Sequence, residues 1–190
     1  GPLAAGFGGG AGAEAAGCAS TTASANDVLD EGTPVSGGNL TVGVESETAG
    51  WNPASNIWAL EGNFIGSSMI ETLSVINSKG EAVPWLAESI TGNDDSTLFT
   101  IKVRQGIKFH DGSNLTSRDV KASYDKIIFP PPGVGSTRKG QYAVVEKVEA
   151  PNPTTVVFRL KQPSGSFIAS LLSPYNFIYK ADILAKEPNW

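Results

Sequence analysis

The sequence predicts an α/β fold, a mixed and mainly antiparallel sheet with packed helices, and three observations carry that prediction. Phe99, Ile101 and Val103 alternate with Thr100, Lys102 and Arg104, the period of a strand with one buried face. Thr116 followed three residues later by Asp119 resembles a capping box, and behind it Val120, Tyr124, Ile127 and Ile128 fall on one helical stripe. Val156, Phe158 and Leu160 give a second alternating strand, with Thr155, Arg159 and Lys161 on its opposite face.

The elements follow in chain order. Residues 1–38, dominated by glycine, alanine, serine and threonine, hold too few apolar side chains for a core and are expected to form an unfolded head or tether. Residues 39–190 form the folded part. Within the head, AEAAGCAS sets Cys18 behind small residues, the pattern a lipoprotein signal peptidase accepts before lipidation, although Ala15 stands where leucine is commoner. Two readings of Cys18 stand: a lipidation site, or a cysteine in a low-complexity linker.

Leu40, Val42 and Val44 alternate as a first strand, ended by Glu45 and Glu47. The loop Thr48 to Trp58 then places two tryptophans in a polar, turn-rich segment, where solvent-facing loops rarely carry them. Trp51, Asn52, Pro53, Asn56 and Trp58 are the candidate ligand-binding residues. The alternative is that both rings cap the local core. Phe64, Ile65, Met69, Ile70 and Leu73 recur at helical steps, so a helix is expected over residues 61–73 with Met69 in the core. Residues 74–86 read as a hairpin turning at Lys79-Gly80.

Gly92 to Ser96 make a turn before the strand of Phe99, and Ile107 to Phe109 offer that strand a short partner after Gln105-Gly106. Asp111-Gly112 turns the chain into the helix of residues 116–129, on whose wet side Lys121 and Asp125 stand four apart. Pro130, Pro131 and Pro132 end it. Residues 133–140 read as a surface loop, with Arg138 and Lys139 solvated rather than holding a carboxylate. Residues 146–150 and 154–161 form an antiparallel hairpin across Pro151-Asn152-Pro153. Ser164 caps a short helix carrying Phe167, Ile168, Leu171 and Leu172, ended by Pro174. Residues 176–179 give a last strand, and residues 181–186 a helix that Pro188 stops.

Composition excludes several functions. The chain has 190 residues, 40% of them apolar, and can bury the core of one medium domain or of part of a larger one. A net charge of −5 provides no broad basic surface for nucleic acid phosphates or anionic lipid. No run of 18 or more apolar residues occurs, one cysteine excludes an internal disulfide, and one histidine excludes a histidine cluster for a metal.

Enzymatic chemistry finds little support. His110 is the sole histidine available to pair with a nucleophile, and inside FHDG it is expected to hydrogen-bond Asp111 or nearby backbone. Asp94-Asp95 is explained by turn chemistry. No glycine-rich dinucleotide or Walker loop and no zinc spacing is present, so no cofactor is expected.

Several stretches together carry a family resemblance. Leu86-Ala87-Glu88, an acidic turn, an alternating strand ending in a basic residue, FHDG, LT and an acidic residue opening a helix occur in that order between Leu86 and Asp125. VEAPNPTTVVFRLKQPSGSFIASLL (Val148 to Leu172), GGNLTVGVE and WNPA continue the likeness. The chain resembles the peptide/nickel-type bacterial extracellular solute-binding proteins, family 5, which serve as receptors of ABC importers. The resemblance covers roughly residues 37–190 and implies part of lobe I of a two-lobed, type II periplasmic-binding-protein-like fold, the chain stopping where the second lobe begins. It implies peptides as the ligand class, an ABC permease as partner, and a place in the periplasm or on the outer face of the cytoplasmic membrane, held there through Cys18 if that residue is lipidated. It also puts the loop of Trp51 and Trp58 at the cleft. Nickel chelates and sugars are the other ligand classes it admits. Outside the resemblance stand a self-standing surface interaction domain and, more remotely, a hydrolase built on His110.

Overall fold

The computed structural model describes residues 36–48, 50–56, 58, 60–173 and 176–186. The chain divides at Val42/Gly43 into two units. In the first, residues 36–42 are exposed and irregular; of the tether expected over residues 1–38, residues 1–35, with Cys18, lie outside the described residues. The predicted strand at Leu40, Val42 and Val44 is not formed. These side chains are 88%, 50% and 42% exposed, and among the described residues no strand pairs with them. A strand without a neighbour leaves its backbone to water, so alternation alone does not make one.

The second unit begins with helix α1 (Leu60–Met69), shorter than the predicted 61–73. Its apolar residues do not share one buried face: Phe64 and Met69 are exposed, which corrects the core assignment of Met69. The chain leaves the helix at Ile70, and Thr72 bridges Phe177 while Leu73 enters the core. Strands β1 (Ser74–Ile76) and β2 (Ala82–Pro84) form the expected hairpin. Asn77 Oδ1 accepts from Lys79 and Glu81 N–H, both at 2.9 Å, and Gly80 takes the positive φ the turn requires.

The main sheet has four strands, β3 (Ala87–Gly92), β4 (Leu98–Val103), β5 (Val145–Asn152) and β6 (Thr155–Leu160), in the order β3-β4-β6-β5. Every pairing is antiparallel. The partner of β4 on its outer side is β3, not residues 107–109. That stretch closes on the turn that follows it: Phe109 N–H donates to Ser113 O at 2.8 Å and Ile107 O accepts from Leu115 N–H at 2.9 Å, so one of its donors and one of its acceptors are engaged away from β4. Ser96, at φ 51°, and the Asn93 side chain, accepting from Thr97 and Leu98 N–H, shape the β3–β4 turn.

Helix α2 (Ser117–Ile128) lies across the sheet. Thr116 N–H and hydroxyl both donate to Asp119 Oδ2, at 2.9 and 2.8 Å, so the capping box is present with aspartate in the usual Glu position. The predicted stripe is the buried face: Val120, Tyr124, Ile127 and Ile128 are all 3% exposed or less. Tyr124 meets Phe158 and Tyr142 edge-on at 5.0 and 5.9 Å, and Phe167 of helix α3 (Phe167–Leu171) joins the same aromatic core. Burying a side chain such as Phe158 contributes about 1.5–3 kcal/mol. Ser166, not Ser164, occupies the N-cap position of α3: Ser164 N–H is bound to Ser96 O at 2.9 Å and its carbonyl accepts from Phe167 N–H at 3.1 Å, a turn that precedes the helix.

Residues 176–179 are not a strand. Phe177 forms a single bridge with Thr72, Ile178 N–H bonds Glu71 O, and Tyr179 N–H bonds the Ser123 hydroxyl of α2 at 2.8 Å. Helix α4 (Ala181–Lys186) follows, and Pro174 and Pro188 lie outside the described residues.

Candidate functional site: an aromatic loop clamped to the domain

The loop of residues 48–58 is shaped by its own asparagines. Asn52 is buried, and its Oδ1 accepts from Ala54 N–H at 2.9 Å and more weakly from Ser55 N–H at 3.4 Å, the geometry of an Asx turn. Asn56 Oδ1 accepts from Asn52 N–H at 2.8 Å, closing the turn from the other side. The Trp58 indole N–H reaches back to Gly50 O at 2.9 Å.

Two residues from distant sequence hold this loop in place. Tyr179 donates its hydroxyl to Trp51 O at 2.8 Å. Burial pushes the Tyr179 phenol well above its ordinary value, with Arg138 opposing weakly, so it stays a neutral donor at any physiological pH. Arg138 donates from Nη2 to Pro53 O at 3.2 Å and from Nη1 to Asn176 Oδ1 at 2.9 Å, while Asn176 Nδ2 bonds Ser170 O at 2.8 Å. Thr137 N–H adds a bond to Ala54 O at 2.9 Å. Arg138 was expected in a solvated loop. It is half-buried instead, because its planar fork bridges two acceptors that face each other across the site. Lys139 does stand in solvent.

The clamped loop presents aromatic surface. Trp51 and Trp58 are half-buried and tilted at 51° with ring centroids 5.7 Å apart, and Trp58 meets Phe177 at 5.3 Å. The Trp51 indole N–H and the Asn56 amide nitrogen have no partner among the described residues. The five predicted site residues are thus brought together but not equivalent: Asn52 and Pro53 are buried in the turn, whereas Trp51, Asn56 and Trp58 keep accessible surface. Sequence reasoning missed Arg138 and Tyr179, whose partners lie 85 and 128 residues away along the chain.

A separate apolar cavity of about 470 Å³ lies beside the FHDG turn, between Met69, Ile70, Ile107, Phe109, Ile178 and Ile183. At its rim His110 is exposed, and Asp111, one of the two kinds of partner expected for it, is engaged elsewhere. Asp111 Oδ1 accepts from Ser113 N–H and hydroxyl at 2.9 and 2.6 Å, and Oδ2 pairs with Lys180. Lys180 foremost, then Ser113, holds the Asp111 carboxyl well below the usual carboxylate range. Among the described residues no three His, Cys, Asp or Glu side chains gather as metal ligands, and no helix is long and apolar enough to cross a membrane.

The expected mixed sheet is wholly antiparallel among the described strands, and an α/β chain of antiparallel sheets with packed helices is what this protein shares with its structural neighbours, the two-lobed type II periplasmic binding proteins. Within that class the chain belongs to the bacterial extracellular solute-binding proteins, family 5, whose model (family 5 Middle) matches residues 81–190. Among characterised relatives, the glutathione-binding protein GsiB of Escherichia coli (strain K12) is 43% identical over 89 residues, 47% of this chain and 17% of that protein. Among solved structures, AgaA from A. tumefaciens R10, in complex with agropinic acid, is 34% identical with a TM-score of 0.61, over 68% of this chain and 26% of that one. The oligopeptide-binding protein AppA from Bacillus subtilis, in complex with a nonapeptide, is 26% identical with a TM-score of 0.63, over 74% of this chain and 27% of that one. The chain thus spans 17%, 26% and 27% of the length of these three proteins.

Proposed function

We propose that this chain is part of lobe I of the substrate-binding component of an ABC importer, capturing peptides outside the cytoplasmic membrane and delivering them to a permease. The observation that carries the reading is the loop of Trp51, Asn56 and Trp58 on a family 5 domain: aromatic faces and two donors without a partner among the described residues belong to one hydrogen-bonded loop. Aromatic faces take up ligand side chains, and the Trp51 and Asn56 N–H groups suit the carbonyl and carboxylate oxygens of a peptide. GsiB, a glutathione-binding protein, and AppA with its nonapeptide support that ligand class. Such receptors act by binding alone: a ligand touching both lobes stabilises the closed form through contacts the open form lacks. No catalytic role falls to His110. Cys18, where lipidated, anchors the receptor to the membrane surface, and mass spectrometry of membrane-extracted protein reads that modification directly.

AgaA, with agropinic acid, favours a second reading in which the ligand is a small non-peptide acid. Native mass spectrometry of the longest form of the protein, purified without added ligand, separates the two. Co-purified short peptides, lost in Trp58→Ala, support peptide capture. A bound non-peptide acid, or a peptide load unchanged by Trp51→Ala and Trp58→Ala together, overturns it.

A further inference from the structure

Helix α1 carries two glycines, Gly62 and Gly66, within ten residues. Glycine inside a helix is less favourable than alanine, so each calls for a packing reason. The rings supply one. A Cβ at Gly66 would stand 2.9 Å from Phe177 Cε2, 3.1 Å from Cζ and 3.4 Å from Trp51 Cζ3. A Cβ at Gly62 would stand 3.0 Å from Trp58 Cβ and 3.3 Å from its Cγ and Cδ1. Trp51, Trp58 and Phe177 form a continuous series of tilted rings, and the two ends of that series meet over Gly66.

We infer that Gly66, seconded by Gly62, is the positioning residue of the aromatic loop: its bare backbone sets how closely Trp51 and Phe177 approach α1, and so fixes the ring faces offered to a ligand. The ring geometry stands independently of the ligand, and the consequence for specificity rests on the function proposed above. Phe177 cannot retreat freely, because it is 2% exposed and its segment is bound to Glu71 and Ser123.

The sign of one substitution tests this. Helix propensity alone makes Gly66→Ala stabilising, as at any exposed helical site, whereas the ring seat makes it destabilising. Thermal melting and ¹⁵N-indole spectra of the 190-residue chain are compared for wild type, G66A, F177L, G66A/F177L and the exposed control S68A. The expected result is a lower Tm in G66A, displaced Trp51 and Trp58 indole signals, and recovery of both in the double variant, where the smaller side chain makes room. A G66A chain that melts at or above wild type with unmoved indole signals overturns the inference. If G66A fails to fold, recovery of dispersed signals in G66A/F177L upholds it and lack of recovery overturns it. In the longest form of the protein, peptide affinity in G66A is expected to fall by about tenfold or more, the effect of about 1.4 kcal/mol. Absence of peptide binding in wild type would overturn the proposed function and leave the indole result standing.

Discussion

Asp119 of α2 accepts the backbone N–H of Ala181 at 2.9 Å through Oδ1, while its Oδ2 receives both the N–H and the hydroxyl of Thr116. One buried carboxylate thus closes the start of α2 and fixes the first residue of α4, across 62 positions of sequence. Both oxygens face donors, so an amide cannot replace it: Asn offers one acceptor and turns its NH₂ toward another N–H. Asp119→Asn is expected to destabilise nearly as much as Asp119→Ala, by about 1–3 kcal/mol in urea unfolding. An Asn variant within a few tenths of wild type would contradict the two-sided cap.

Arg138 joins Pro53 O to Asn176 Oδ1. Lysine lacks the fork that reaches both, so Arg138→Lys is expected to behave like Arg138→Ala, each losing about 1.5–3 kcal/mol. Hydrogen exchange is the discriminating measurement. The amides of Ala54 and Asn56 should lose protection in both variants while those of β4 and β6 keep theirs, and uniform loss would mean that the guanidinium supports the whole domain.

Asp125 pairs with Lys121, as the four-residue spacing predicts, yet it is half-buried and its Oδ1 has no partner among the described residues. Burial raises its carboxyl above the usual value, and Lys121 only partly offsets this. A folded-state value above the unfolded one contributes stability that is full below pH 3.8 and is lost as pH rises through the folded value. Asp125→Asn should therefore gain on wild type as pH rises from about 3.5 to 7. Denaturant melts at both ends check the sign, and a variant that gains on acidification instead would refute it.

Asp111 works in the opposite direction. Lys180 and Ser113 lower its carboxyl, so this contact stabilises above the unfolded value of 3.8 and fades on acidification through the folded one. Lys180→Met is expected to return the Asp111 titration, followed by carboxyl ¹³C NMR, upward toward the ordinary range, and high salt should do part of the same in wild type. An unmoved midpoint would mean that Ser113 alone sets it.

Legibility in the sequence divides along the range of the interactions. Strand β4, helix α2 with its cap, and the β5–β6 hairpin were readable because period, capping residues and turn chemistry are local signals. Strand β3 was not, since AESITG has a single large apolar residue, Ile90, and owes its ladder to β4. The opposite error occurred at Leu40 to Val44 and at residues 107–109, where alternation was present and no ladder formed, and at residues 176–179, where a short apolar run reads as a strand but makes a single bridge. The loop of Trp51 and Trp58 could be found from its costly aromatics. Its clamp could not, because Arg138 in a glycine-rich stretch looks solvated until Pro53 O and Asn176 are brought beside it. The glycines of α1 read as weak helix formers, and only the rings above them explain their placement.

The strand order β3-β4-β6-β5 has a kinetic side. Each outer pair is a hairpin of near neighbours, whereas the central ladder joins Phe99 to Phe158 and Ile101 to Val156, closing more than fifty residues of chain with α2 inside the closed segment. Such closure is slow relative to hairpin formation, because its entropy cost comes before its contacts form. The rate-limiting encounter is then between two preformed ribbons. Truncating Phe99 or Phe158 should slow refolding, whereas loosening the β1–β2 turn should mainly hasten unfolding, a contrast that stopped-flow chevrons resolve.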